Sequence, residues 1–167
     1  MIVPASFPDP QRVRLDSFAA LDDAIDRLLP LAQQRIAIFD ADLRAPAWNG
    51  NQRSENLQRF LLASRTNQLR VVLHETDYVA RYQSRIMELL RRFSDRMEIR
   101  CTQNDVKQVF DPFVLIDGQH YLHRFHYQRP GGEFGIAQPE AAGELSLRFE
   151  ELWLASDPGL APTVLGL

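Results

Sequence analysis

The chain has one cysteine, one lysine and no long apolar run. Each scarcity removes a class of function. A single Cys101 allows no intrachain disulfide and no cysteine-based zinc site. It alternates with Met97 and Ile99, so it reads as a small core residue, because a reactive thiol needs an electropositive, exposed setting. Any chemistry that requires a lysine must use Lys107. No stretch approaches the ~18 consecutive apolar residues of a membrane-spanning helix. The first ten residues carry Pro4, Pro8 and Pro10 and no basic segment, which is not the pattern of a signal peptide. The expected compartment is the cytoplasm, with no membrane contact. Net charge is −3 and the isoelectric point about 5.8, so a nucleic-acid partner is not expected: nonspecific binding of that kind rests on a basic footprint.

What is present is an ordinary globular composition, 45% hydrophobic and 25% charged over 167 residues. A chain of this length buries roughly 70% of its unfolded surface, enough for one core. Prolines make residues 1–15 an extended N-terminal lead-in. Residues 16–156 form a single α/β domain, and 157–167, with Pro158, Gly159 and Pro162, a C-terminal tail.

Hydrophobic spacing orders the elements. Asp16 and Ser17 offer an N-cap for a helix whose stripe is Phe18, Leu21, Ile25 and Leu28. The run from Arg35 to Asp40 is a buried strand, and Ser54 opens a helix carrying Leu57, Phe60 and Leu61. A strand over Leu69–His74 precedes one long helix from about Tyr78 to Asp95, and Met97–Cys101 alternates as a third strand. Phe113–Asp117 and Tyr121–His126 flank Asp117-Gly118-Gln119-His120 as a hairpin. Residues 128–143 read as loop, followed by a helix from Glu144 to Ala155. The order predicts a mixed, mostly parallel sheet with helices on both faces and one antiparallel hairpin.

Two local patterns suggest chemistry. Asp40-Ala41-Asp42 follows an apolar strand and resembles the opening motif of haloacid-dehalogenase-type phosphatases, in which such a pair works with Mg²⁺. The resemblance implies a Mg-dependent hydrolase using Asp40 and Asp42. The motif continues here into Leu43 and Arg44, and the family's later acidic motif is missing. The alternative is that both carboxylates cap the following loop. His120, His123 and His126 form the second pattern, but residues three apart on a strand face opposite sides, so no shared metal ion is expected. No cofactor motif is present: there is no P-loop and no dinucleotide fingerprint.

The element order over about residues 18–155 resembles one half of a phospholipase D-like domain. That superfamily carries His-x-Lys-x-x-x-x-Asp on its hairpin and often a closing helix with a Phe and a Trp. Here the hairpin runs from Phe110 through Asp111 and Pro112 to Asp117 and Gly118, and the closing helix holds Phe149 and Trp153. The family's histidine falls on Phe110 and its lysine on Pro112, neither of which can attack or neutralise phosphorus. Asp117, whose family role is supportive, is retained, and Arg124 stands where a small Gly-Ser step opens onto phosphate. The resemblance therefore implies a degenerate, single-half bacterial branch with no catalytic residues, acting as a binding or interaction module. It implies a homodimer or a partner enzyme domain, since active members pair two halves. The candidate ligand-binding residues are Arg124, His74, Asp40, Asp111, His126 and Asp117. An alternative use of that cleft is binding of a small phosphate or carboxylate, with Arg124 as donor. Arg124 could equally fill the old cavity.

Overall fold

The computed structural model describes residues 8–45 and 48–162. Its centre is an eight-stranded mixed sheet. The strands are β1 (Gln11–Leu15), β2 (Arg35–Asp40), β3 (Gln68–Leu73), β4 (Met97–Thr102), β5 (Phe113–Ile116), β6 (His120–Arg124), β7 (Gly132–Ile136) and β8 (Ser156–Pro158). The helices are α1 (Phe18–Leu28), α2 (Asn51–Ala63), α3 (Asp77–Tyr82), α4 (Ser84–Arg92) and α5 (Pro139–Leu154). The strand order is β1-β7-β6-β5-β2-β3-β4-β8.

The mixed sheet and the hairpin agree with expectation, but the balance needs correction. Only β2–β3 and β3–β4 are parallel, and the other five pairings are antiparallel. The shift comes mainly from the segment read as loop. Gly132–Ile136 is a strand because its glycines permit close approach: a side chain at Gly135 would collide with the Tyr121 ring. The extended lead-in then finds a partner, β1 pairing with β7, and the start of the tail pairs with β4 as β8. The expected long helix is two helices, broken at Gln83, whose ψ of 69° leaves the helical region. The last helix begins at Pro139, where a proline costs no hydrogen bond, rather than at Glu144.

Alternation along the strands sorts the sheet into two faces. Ile36, Ile38, Val71, Leu73, Ile99, Val114, Ile116 and Leu122 meet α1, α2 and α4 in one core. Ala37, Phe39, Val72, Phe113, Leu115 and Tyr121 meet α5 alone, through Ala142, Leu145, Phe149 and Leu152. Helices thus cover both faces unequally. Among the described residues no helix is long and apolar enough to cross a membrane.

The hairpin turn is well defined. Asp117 and Gly118 have φ of 54° and 67°, and the Gln119 N–H donates to the Ile116 carbonyl at 3.0 Å. An Asp-Gly pair tolerates two successive positive φ values, and with Ile116 opposite His120 the turn spans residues 117–119.

Candidate functional site

β5 runs antiparallel to β2, so the start of β5 lies beside the end of β2, and the end of β6 lies beside the start of β5. One edge of the sheet therefore gathers Asp40, His74, Thr102, residues 110–112, Arg124 and His126. This is where strand ends of an open α/β sheet present a crevice. Five of the six sequence candidates reach this edge. Asp117 does not: it is four residues further along β5, at the opposite end. Its carboxylate accepts from the backbone N–H groups of Gln33, Gln34 and Arg35 at 2.9, 2.8 and 2.8 Å. These three bonds tie the hairpin to the start of β2.

The five that share the edge are divided by the sheet. Asp40 and Arg124 fall on the α1 face. Both line a cavity of about 10 Å³ together with Ile25, Ile38, Trp48, Pro112 and Leu122. That volume is at the threshold for a single water. Arg124 is 3% exposed and is held by carbonyls: Nη1 donates to Ala45 at 2.8 Å and Nη2 to Tyr127 at 2.6 Å. Its Nε has no hydrogen-bond partner. Burial lowers the pKa of this guanidinium, partly offset by the field of Asp40. Burial likewise pushes the Asp40 carboxyl up to about 7, against the opposing pull of the Ala41 N–H and Arg124. Arg124 thus faces a packed interior, not an open concavity.

Asp42 takes different partners from Asp40. Its Oδ1 accepts from the Arg44 N–H at 2.9 Å and its Oδ2 lies 3.3 Å from the Arg44 guanidinium. Asp40 turns inward and accepts from the Ala41 N–H at 2.7 Å. Among the described residues no group of three or more His, Cys, Asp or Glu side chains is placed to hold a metal ion.

On the α5 face the chemistry is fully paired. His74 Nε2 donates to the Val109 carbonyl at 2.6 Å, which leaves Nδ1 to accept from the Thr102 hydroxyl at 2.7 Å. Burial lowers the His74 pKa against the opposing bond to the Val109 carbonyl, and the field of Lys107 adds to the lowering. Lys107 itself donates to the His74 carbonyl at 2.5 Å. Asp111 receives a two-pronged bond from Arg148 of α5, at 2.7 and 2.8 Å, and a third from His123 Nε2 at 2.8 Å. Burial would raise the Asp111 pKa, but these bonds from His123 and Arg148 override it and hold the carboxyl well below the usual carboxylate range.

His126 sits at the rim beyond β6. Its ring stacks on Tyr127, with centroids 5.0 Å apart, and lies 5.8 Å from Phe110. Phe110, just before β5, is 46% exposed, and Phe125, just after β6, is 43% exposed. Arg14 of β1 lies over the Phe125 ring at 5.2 Å. An aromatic ledge therefore borders the strand-end edge. His120 is remote from it, buried and accepting from the Ala137 N–H at 2.8 Å.

A family model described as a domain of unknown function, DUF7931, matches residues 17–161. The chain belongs to that family. Its fold is phospholipase D-like. Nuc of Salmonella typhimurium, a phospholipase D family member, is 11% identical, with a TM-score of 0.62 over 92% of this chain and 100% of its own. NucT of Helicobacter pylori is 6% identical, with a TM-score of 0.60 over 91% and 100%. TrmBL2, an archaeal chromatin protein described with a novel mode of DNA binding, is 15% identical, with a TM-score of 0.61 over 94% of this chain and 55% of its own. A search of curated proteins returns no significant match.

Sequence reasoning did not foresee two members of the DUF7931 chain's edge, His123 and Arg148. Strand alternation could have supplied His123, which shares a face with Tyr121 and Phe113. Nothing local announces Arg148, whose bond to Asp111 spans 37 residues.

Proposed function

We propose that this DUF7931 chain is a phospholipase D-fold domain that performs no phosphoryl transfer and acts as an interaction module. The observation that carries this reading is the filled strand-end edge. Phe110 and Pro112 stand where the family's histidine and lysine are expected, and Pro112 and Arg124 line a cavity with only about 10 Å³ left over. Phosphoryl transfer by this fold needs a nucleophile and a cation converging on one phosphorus. Here the cation is buried on one face, and His123, the histidine held by a carboxylate, is on the other.

The surface that remains is aromatic and cationic: Phe110, Phe125, His126 and Tyr127, with Arg14 above Phe125. Exposed aromatics beside an arginine are the composition of interface anchors. The pairing of two halves in active relatives favours a second copy of this chain, or a partner domain of like fold, as the occupant. The net charge of −3 supports a protein partner over a nucleic acid, and the chromatin protein among the structural relatives makes DNA the comparison to include in the assay.

A phosphodiesterase assay with bis-p-nitrophenyl phosphate and DNA substrates tests the reading. The expected result is a rate equal to buffer, with or without Mg²⁺. Turnover that disappears in His123→Ala overturns it. Sedimentation velocity gives the second test: a concentration-dependent dimer weakened by Phe110→Ser and Phe125→Ser is expected, while a monomer that shifts only on adding DNA assigns the ledge to nucleic acid instead.

A further inference from the structure

The helices on the two faces of the sheet carry opposite charge. α5, alone on its face, has Glu140, Glu144, Glu150 and Glu151 against the single Arg148. Arg70 takes up Glu150, and Arg148 is spent on Asp111. Glu140, Glu144 and Glu151 have no cation within 4.0 Å among the described residues. On the other side α3 and α4 have Arg81, Arg85, Arg91 and Arg92 against Asp77 and Glu88. Arg91 pairs with Glu88 at 2.9 Å. Arg81, Arg85 and Arg92 have no carboxylate within 4.0 Å among the described residues.

The acidic helix is also the one that leaves most hydrocarbon in water. Leu147 and Leu154 are 70% and 80% exposed, more than any other large apolar side chain among the described residues. They are seven residues apart on α5, so they share one stripe about 10 Å long. Glu144 and Glu151, also seven apart, lie beside them on the same side of the helix. Apolar positions flanked by charge at heptad spacing are the pattern of a helix that packs against another helix. The matching spacing is on α4, where Arg85 and Arg92 are seven apart. Arg85 is held in place, its Nη1 donating to the Asn49 carbonyl at 2.9 Å. Tyr82, 65% exposed, stands at the end of α3 close by. Within one molecule these surfaces lie on opposite sides of the sheet and cannot meet.

We propose that copies of this chain associate head to tail, α5 of one copy against α3 and α4 of the next. Leu147 and Leu154 are covered by Tyr82 and the hydrocarbon stems of the arginines, and Glu144 and Glu151 face Arg85 and Arg92. The two surfaces differ, so each added copy leaves one of each kind free. The contact therefore propagates as an open series and does not close as a two-fold dimer. None of these residues belongs to the aromatic ledge, so the contact stands or falls separately from the proposed function.

Sedimentation velocity of the full chain carrying Phe110→Ser and Phe125→Ser, which remove the ledge, tests it. The average mass is expected to rise with concentration past the dimer, and the association to weaken about tenfold between about 0.05 and 0.5 M salt. Two further variants in that background each spoil one surface: Leu147→Ser with Leu154→Ser on α5, and Arg92→Glu on α4. These side chains are exposed, so both variants are expected to keep their melting temperature. Each alone is expected to associate about tenfold more weakly or worse. An equimolar mixture of the two is expected to stop at a one-to-one dimer, because one intact surface of each kind remains. A monomer at every concentration in the ledge-free background overturns the proposal. So does a single-surface variant that assembles like its parent, or a mixture no larger than its components.

Discussion

Two carboxylates at the same edge of one sheet have opposite fates. Asp40 is on the α1 face, 4% exposed, with only backbone N–H groups, of Ala41 and Leu43, aimed at it and an arginine that engages other groups. Desolvation wins there, and its carboxyl rises to about 7. Asp111 is on the α5 face, partly exposed, and receives three charge-assisted bonds from Arg148 and His123. Pairing wins there, and its carboxyl falls below the usual range despite burial. The number of donors aimed at each carboxylate decides the sign, and depth alone does not. At this edge the α1 face is interior, and the α5 face carries the ionic cluster.

Removing Arg124 should have the largest effect. Arg124→Met strands the carbonyls of Ala45 and Tyr127 and leaves Asp40 without its compensating field. Urea denaturation should register a loss of about 2–5 kcal/mol at pH 8, as for two buried carbonyls left without donors, and a smaller loss at pH 5, where Asp40 takes up a proton. A loss that does not vary with pH would break the link between the two residues. Asp111→Ala comes next. It releases Arg148 and His123, which are partly exposed and regain water, so a loss of about 1–3 kcal/mol at pH 7 is expected. The same variant detaches α5 from the start of β5, so hydrogen exchange should quicken in α5 and not in α1.

Asp40→Asn sharpens the comparison through pH. The folded Asp40 holds its proton up to about 7, while the unfolded chain releases it near 3.8. Its contribution is therefore complete below about 4 and is lost as pH rises towards 7. Asp111 has the reverse sign: its contribution is present above the unfolded value and is lost as pH falls below about 4. Stability measured from pH 3 to 8 should rise through the acid limb and then decline. Asp40→Asn should abolish the decline, be neutral or about 1 kcal/mol stabilising at pH 8, and leave the acid limb in place. The smallest effect is expected for Phe110→Ser, within about 0.5 kcal/mol, because that side chain is half in water and its loss opens no cavity.

Much of this architecture was legible in the chain. Of the two cap candidates, Asp16 and Ser17, it is Ser17 that caps α1, its side chain accepting from the Ala20 N–H at 3.1 Å. The Asp-Gly pair predicts the turn that forms. β2, β3 and β4 follow from short apolar runs. β7 was not legible, because glycines mark a strand only when a neighbour such as Tyr121 needs the space, and that need is tertiary. The break at Gln83 was hidden for a similar reason: the apolar stripe continues across it, and Gln83 departs from the helix while its Nε2 donates to the Leu43 carbonyl at 2.8 Å. At the candidate site the residue list was largely right about position along the strands and wrong about togetherness. Asp40, His74, Asp111 and Arg124 all reach one edge, but parity sends them to different faces, and Asp117 serves the far end. Parity can be counted from sequence once strand boundaries are known, and those boundaries were good to a residue or two.

The closure of the α1 face is the point on which the rest depends, and the titration of Asp40 reports it most directly. Carboxyl-carbon NMR of the wild type across pH 3 to 9 should show the Asp40 signal titrating with a midpoint near 7, unmoved by added inorganic phosphate. A midpoint near 4, or a midpoint that shifts when phosphate is added, would mean that water and anions reach Arg124 and that the α1 face is open at this edge.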